Sequence, residues 1–455
     1  MNTQTDVYGN KAAKPGRTRT MLYLALRAHD PMTASSRHVL DDIDIVQFGR
    51  GDDTITRDRH AGLRRLVIKV ADPLMSSDHG RLVRVRDTWV LRDPDSKNGA
   101  LVGGERIRSA QIADRQMFAL GHTLFFLERT EVDDGGIADL PATALQPPVP
   151  ELATFDDRLA ASLRDVARVA TTALPILISG ETGTGKEVMA AAVHRLSERR
   201  GEFVAVNCGG LAPNLIEAEL FGHRKGAFSG ALADRVGYIR AADRGTLFLD
   251  EVAELPASAQ AALLRVLQER EVVAVGDVKP VAVDLRICAA THRDVPRMIQ
   301  RGEFREDLYA RLLGLHVQLP PLHARRADLG MLIRALLVRD GASRVRFTPA
   351  AAIRLFEYGW PRNIRELDRA LAIAVALADR EPIDVVHLPP QLREPAPSAV
   401  IDQADSLSAD ELALKQQLEQ LMRAHADNVA EVARRIGKDR TQIYRWLRRF
   451  GIQRD

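Results

Sequence analysis

Residues 174–196 read LPILISGETGTGKEVMAAAVHRL. A short apolar run ends at Ser179, glycines follow at 180, 183 and 185, and the remainder has helical spacing. This is a buried strand, a glycine turn and a helix. Gly180, Gly183 and Gly185 let backbone N–H groups turn inward at the helix N-terminus and cradle phosphates, with Glu181, Thr182 and Thr184 between them. Lys186 then reaches the β- and γ-phosphates. Glu187 stands where Ser or Thr would ligate Mg²⁺, so the metal must rely on another acid and on water. GTLFLDEV (245–252) supplies that acid: a hydrophobic strand ends in Asp250, placed to hold Mg²⁺, and Glu251, placed to orient an attacking water. ATP and Mg²⁺ are the expected ligands. Around these motifs, strand-like runs (PILISG, FVAVN, GTLFLD, LRICAAT) alternate with amphipathic segments, the pattern of an α/β fold.

The chain of 455 residues is too long for one core. Two runs rich in Pro, Gly and polar residues divide it, EVDDGGIADLPATALQPPVP (131–150) and a second linker over 392–408. Before the first, residues 20–130 carry short apolar runs (MLYLAL, RLVIKV, RLVRV, TWVLR, MFALG, TLFFL) separated by turns, which reads as all-β. The central block spans 151–391, and the tail, 409–455, reads as helical. The N-terminal stretch lacks the apolar h-region of a signal peptide, and no run has membrane-span length. A cytoplasmic protein without membrane contact is expected. Cys208 and Cys288 have neither metal nor redox spacing and read as buried structural thiols. Net charge is +3, yet from Glu431 to Asp455 eight Lys and Arg stand against three acids, the electrostatic footprint of a nucleic-acid contact.

Further motifs make a family resemblance specific. The central block, with its helical lid from about 323, resembles the AAA+ domain of sigma-54-dependent bacterial transcription activators, whose phosphate loop also reads GETGTGKE. The resemblance implies roles for other residues. Asn207, in FVAVNCGGL, would couple Glu251 to a sigma-contacting loop. Thr291 and His292 would occupy the sensor I position, and Arg365, in WPRNIREL, would close on the nucleotide from the lid. Arg305 and Arg311, in GEFREDLYARL, would reach the γ-phosphate of a neighbouring subunit, which requires a site shared between subunits. The sigma-contacting loop would be Gly226, Ala227, Phe228, Ser229, Gly230 and Ala231, with Phe228 exposed for a protein partner. Arg224 and Ser229 replace the family's usual Glu and Thr, Arg362 replaces a Gly, and LHAR (322–325) replaces LRER.

Both ends resemble known modules. QFGRG (47–51), SSDHGRL (76–82) and DPDSKNGALVGGERI (93–107) resemble a forkhead-associated (FHA) domain, a β-sandwich that binds phosphothreonine peptides. The resemblance implies that Arg50 and Ser76 grip the phosphate, Lys97 lies near it, and Asn98 holds the peptide backbone, with His79 a structural loop residue. Ser77, Ala100 and Gly103 depart from the common Arg, Thr and Asn. NVAEVARRIGKDRTQIYRWLRRFGI (428–452) resembles a Fis-type helix-turn-helix, with Val432, Ala433, Ile436, Gly437, Ile443 and Trp446 as its packed face and turn. Arg440, Thr441, Gln442, Tyr444, Arg445 and Arg448 would then face DNA.

The expected chain is therefore multidomain: an all-β FHA sandwich, an α/β AAA+ P-loop ATPase with a helical lid, and an all-α helix-turn-helix. Its expected activity is ATP hydrolysis in a homo-oligomer, from dimer to hexamer, that binds upstream DNA and remodels RNA polymerase–sigma-54, with input from a phosphothreonine-containing protein. Two rivals remain: a DNA-binding regulator or repressor of the same fold without sigma contact, and a phosphopeptide-binding scaffold.

Overall fold

The computed structural model describes residues 17–132, 138–212 and 214–394, together with 418, 421–422, 429–436, 439 and 443. MLYLAL (21–26) is apolar at every position, whereas a strand with one wet face alternates. From Met21 to Arg27 the strand Arg17–Arg27 is buried on both faces. Leu22 and Leu24 enter the interior of a β-sandwich, while Met21, Tyr23 and Ala25 enter a second core formed with the lid.

Among the described residues the sandwich has a seven-stranded and a six-stranded sheet. Phe48, Phe118 and Phe125 fill its centre, with ring centroids 4.9 Å apart for Phe48–Phe125 and 5.4 Å for Phe118–Phe125. The expected linker 131–150 is partly sheet: Asp139–Pro141 pairs antiparallel with Ser36–Val39 and becomes an edge strand. Asp139 accepts from His38 Nδ1 at 2.8 Å and Arg57 Nε at 2.6 Å, and Pro141 is tolerated because an edge strand has a side that needs no donor.

The central domain is built on a five-stranded sheet in the order Phe203–Asn207, Thr246–Asp250, Arg286–Thr291, Ile176–Ser179, Leu315–Gln318, with every pairing parallel. Helix Asp157–Ala170 starts where the Asp156 carboxylate accepts from the N–H groups of Arg158 and Leu159. It buries Leu159, Leu163, Val166 and Ala170, one face of a helix. Its last carbonyls, Val169 and Ala170, receive the buried guanidinium of Arg286, a cation suited to the negative end of the helix.

The lid contains helices Leu329–Arg339, Pro349–Glu357 and Asn363–Ala378. Leu329, Ile333, Leu337, Phe356, Trp360 and Leu367 pack in the same core as Met21, Tyr23, Ala25 and Phe126 of the sandwich. Helix Leu329–Arg339 approaches the strand Arg17–Arg27 so closely that a Cβ at Gly330 would lie 2.0 Å from the Ala25 carbonyl oxygen. Polar contacts complete the seam. Phe347 N–H donates to Ala28 O at 2.6 Å, Arg115 Nη2 to His323 O at 2.6 Å, and Arg326 Nη1 to Arg115 O at 2.9 Å. Sandwich and ATPase domain thus form one compact unit through residue 393.

The tail is a separate unit. Helix Val429–Ile436 buries Val429, Val432 and Ala433 in a cluster with Leu418, Met422 and Ile443. No described helix is long and apolar enough to cross a membrane.

Candidate functional sites

The phosphate loop leaves the strand Ile176–Ser179 and enters helix Lys186–Leu196. Gly183 and Gly185 have φ of +82° and +102°, conformations that side-chain-bearing residues rarely adopt. Gly183 is doubly constrained, since a Cβ there would lie 2.3 Å from Arg362 O and 3.1 Å from the Arg365 Cβ. The lid therefore rests on the loop. Ile364 N–H donates to Gly183 O, and Asn363 Nδ2 donates to Thr182 O at 3.1 Å and to Glu181 Oε2 at 3.0 Å. Arg365 and Glu187 are exposed, whereas Thr184 and Lys186 are buried.

Lys186 Nζ donates to the carbonyls of Gly180 (3.0 Å) and Glu181 (3.3 Å) and lies 3.6 Å from Glu251 Oε1. Glu251 has φ +54°, a turn that follows Asp250 at the end of the strand Thr246–Asp250. Its other oxygen accepts from His292 Nδ1 at 2.7 Å. Thr291 closes the floor, its carbonyl accepting from Gly180 N–H. Burial, and then the neighbouring Glu251 charge, raise the pKa of Asp250 above the ordinary carboxylate range. Two adjacent carboxylates faced by one lysine form a set that a divalent cation would relieve, so Asp250 fits the expected Mg²⁺. Beside them the buried thiol of Cys208 is pushed up to about 12 by burial and by these two acids. Burial does the same to Cys288, and both cysteines are free.

Asn207 lies in register with Asp250 on the neighbouring strand. The family resemblance pairs it with Glu251, but its side-chain oxygen accepts from the N–H groups of Gly209 and Gly210, while Glu251 is held by Lys186 and His292. Arg305 and Arg311 are exposed on helix Glu306–Leu312 and its N-cap. Arg305 pairs with Asp307 at 2.7 Å and Arg311 donates to Leu267 O, so among the described residues neither hydrogen-bonds to Lys186, Asp250 or Glu251 of its own chain.

The loop Gly226–Ala231 is closed by Gly226 N–H donating to Ala231 O at 2.8 Å. Phe228 was expected to be exposed; it is half-buried instead, its ring edge-on to His223 with centroids 5.0 Å apart. Ser229 and Gly230 are exposed, Ala227 is half-buried and Ala231 is buried. Arg224 bridges two acids, Asp234 at 2.6 Å and Asp277 at 2.7 Å, and anchors the base of this loop to the neighbouring one.

At one end of the sandwich Arg50 is exposed and its N–H donates to Ser76 O. Ser76 Oγ accepts from Lys97 N–H at 3.3 Å, and Asn98 Nδ2 donates to Leu74 O at 2.7 Å. His79 is fully buried and ties the two loops, with Nδ1 accepting from Ser76 N–H and Nε2 bonded to Gly99 O. The sequence reading missed Lys69, whose Nζ donates to Ser77 O at 2.6 Å and puts a cation beside the position where Ser77 replaces Arg. Strand pairing brings it there, since Lys69 sits opposite Gly49 in the neighbouring parallel strand. It also missed Arg325, half-buried against the phosphate loop and donating to Thr184 O at 3.2 Å. The DNA-facing set Arg440, Thr441, Gln442, Tyr444, Arg445 and Arg448 lies outside the described residues, as do Gly437 and Trp446.

A parallel sheet carrying a glycine phosphate loop, an Asp-Glu pair at the next strand end and a lid resting on the loop define an AAA+ P-loop ATPase domain. Comparison with known proteins narrows the class. Residues 152–318 match the Sigma-54 interaction domain, 323–404 the AAA+ ATPase lid domain and 46–121 the FHA domain. The response regulator protein PilR of Pseudomonas aeruginosa is 39% identical over 338 residues, covering 71% of this chain and 72% of PilR. The acetoin catabolism regulatory protein of Cupriavidus necator is 42% identical over 388 residues, covering 78% of this chain and 58% of that protein. The sigma54-dependent transcriptional regulator SfnR of Pseudomonas fluorescens is 47% identical over 239 residues, 50% of this chain and 65% of SfnR. The chain thus spans less than two thirds of several of the curated relatives it matches. It belongs to the family of sigma-54-dependent transcriptional activators and carries an FHA domain.

Proposed function

We propose that this protein hydrolyses ATP in a ring of subunits and uses the work to remodel RNA polymerase–sigma-54, bound to upstream DNA through its C-terminal segment and instructed by a phosphothreonine ligand on its FHA domain. The observation that carries the reading is the convergence of Lys186, Asp250, Glu251 and His292 at one end of the parallel sheet. The N–H groups of the 180–186 loop cradle the phosphates and Lys186 exchanges its carbonyl partners for phosphate oxygens. Asp250 would hold Mg²⁺, which would supply positive charge to the phosphates. Glu251, its carboxylate passing between His292 and the reacting water, orients that water. Arg305 and Arg311 face outward and serve the site of the neighbouring subunit. On the FHA domain Arg50, Ser76 and Lys97 take the phosphate and Asn98 the peptide backbone.

Lys186→Ala should lose nucleotide affinity, whereas Glu251→Gln should bind ATP and turn it over about a hundred-fold more slowly or worse. Arg305→Ala should bind ATP normally and fail to hydrolyse it. Mixing Arg305→Ala with Glu251→Gln should restore part of the ATPase activity, because some interfaces then pair an intact Arg305 with an intact Glu251. Absence of any recovery in confirmed mixed rings would sink the shared site. Capture of sigma-54 by wild-type protein trapped with an ATP transition-state analogue separates this function from that of a regulator without sigma contact.

A further inference from the structure

At the sandwich end nearest the lid, His29, Asp72 and His122 bring three ligand atoms within 4.8 Å of one another. They come from three separate segments: the turn after the strand Arg17–Arg27, the loop that leads to Ser76, and the turn before the strand Thr123–Val132. His29 Nε2 lies 3.2 Å from the Ala71 carbonyl, which only accepts, so in the neutral ring Nε2 carries the proton and Nδ1 offers its lone pair. That Nδ1 is buried and has no hydrogen-bond partner. A metal-binding imidazole shows the same arrangement, with one nitrogen tied to a backbone carbonyl and the other free to ligate. Asp72 is fully buried, and although burial works against ionisation, hydrogen bonds from His122, Thr123 and Leu74 hold its pKa below the ordinary range. Its Oδ2 is filled by His122 N–H and Thr123 Oγ1. Its Oδ1 takes Leu74 N–H and then faces His122 Nδ1 at 3.0 Å, which is close to the separation of two ligands on one small cation. The two imidazole rings lie 5.0 Å apart.

We propose that His29, Asp72 and His122 form a Zn²⁺ site, with water completing the coordination. Two imidazoles and one carboxylate suit Zn²⁺, whereas Mg²⁺ prefers oxygen alone and belongs at Asp250. On binding, the ion takes the place of the His122 Nδ1 proton, which passes through solvent to Nε2, so that the ring ligates as the neutral Nε2–H tautomer. The position gives the site a purpose. Asp72 begins the turn that presents Ser76, and Leu74 in that turn holds Asn98. Ala28, next to His29, accepts the Phe347 N–H from the lid. Zn²⁺ would clamp the phosphate-gripping loop to the strand end that touches the ATPase domain.

The experiment titrates ZnCl₂ into chelator-stripped full-length protein without nucleotide or Mg²⁺, using a chromophoric competitor, and repeats the titration with Co²⁺ to read its visible absorption. Wild type should bind one equivalent, and His29→Ala and His122→Ala should each weaken it about ten- to hundred-fold. His60→Ala, an exposed histidine at the end of the strand Thr54–His60, should leave it unchanged. The Co²⁺ band should disappear in His29→Ala. If His122→Ala disturbs its turn, as circular dichroism would reveal, His29→Ala decides alone, because that side chain is tied to the fold by its hydrogen bond to Ala71 O. The proposal is overturned if wild type binds no Zn²⁺ with a Kd below about 10 μM, or if His29→Ala binds it as tightly as wild type.

Discussion

Asp328 shows how a single buried group sets a condition on stability. It is fully buried where the lid begins, accepting from Thr154 Oγ1 and Phe155 N–H at 2.7 Å each, with Arg325 Nη1 4.0 Å away. Burial pushes its pKa from 3.8 up to about 6. The folded protein therefore holds this proton over a range in which the unfolded chain has released it, so the Asp328 contribution to stability is largest below that range and falls as pH rises through it. Asp328→Asn has no such proton. The stability advantage of wild type over the variant should shrink between pH 3.8 and about 6 and then level off, as read from urea midpoints of the two proteins. A constant difference across that range would contradict this account of Asp328. The residues proposed as catalytic were legible at this scale because each belongs to a short contiguous motif. Lys69, Arg325 and Asn363 were not, because Lys69 reaches Ser77 only through strand pairing, and Arg325 and Asn363 meet the distant phosphate loop only when the lid docks.

At the scale of elements, the 226–231 loop combines glycines near both ends with an anchor at its base. Gly226 and Gly230 have φ of +82° and +111°, so the loop turns where only glycine turns freely. Phe228 rests on His223 and Arg224 ties the base to Asp234 and Asp277. Arg224→Glu replaces two attractions with repulsion and should free the loop, raising sigma-54 capture in the nucleotide-free protein. Phe228→Ala should retain ATP hydrolysis and lose sigma-54 capture in every nucleotide state. Normal capture by Phe228→Ala would assign the contact to another element. Sequence supplied the loop and its composition; the packing of Phe228 on His223 needed the fold, because an exposed and a folded-back ring have the same local sequence.

At the scale of the whole unit, the sandwich and lid share one core, and Gly330 is the point of closest approach. Gly→Ala inside an exposed helix ordinarily stabilises by about 1 kcal/mol. At 330 the added methyl would meet the Ala25 carbonyl oxygen, so Gly330→Ala should destabilise instead, by about 1–3 kcal/mol. Calorimetry of the full chain should then show sandwich and ATPase domain, which share a core in the wild type, unfolding at separate temperatures. A variant more stable than wild type would mean that the two domains part readily at this seam. The seam is also continuous with the phosphate loop, from Arg115 of the sandwich through the 322–328 segment to Arg325, which donates to Thr184 O.

The sequence by itself determined an all-β block ahead of an α/β centre, and the strand, glycine turn and helix that carry the phosphate loop, because strand–glycine turn–helix chemistry is local. It also contained the doubly apolar strand MLYLAL, but not what covers its second face. Only the tertiary structure decided that the lid covers it, that Asp139–Pro141 is an edge strand rather than free linker, and that Glu251 is held by Lys186 and His292 while Asn207 caps a turn. These outcomes depend on which distant surfaces meet. Hydrophobic burial is non-directional, so an apolar face declares in sequence that it will be covered, and the shape and polar groups of the whole molecule select its partner.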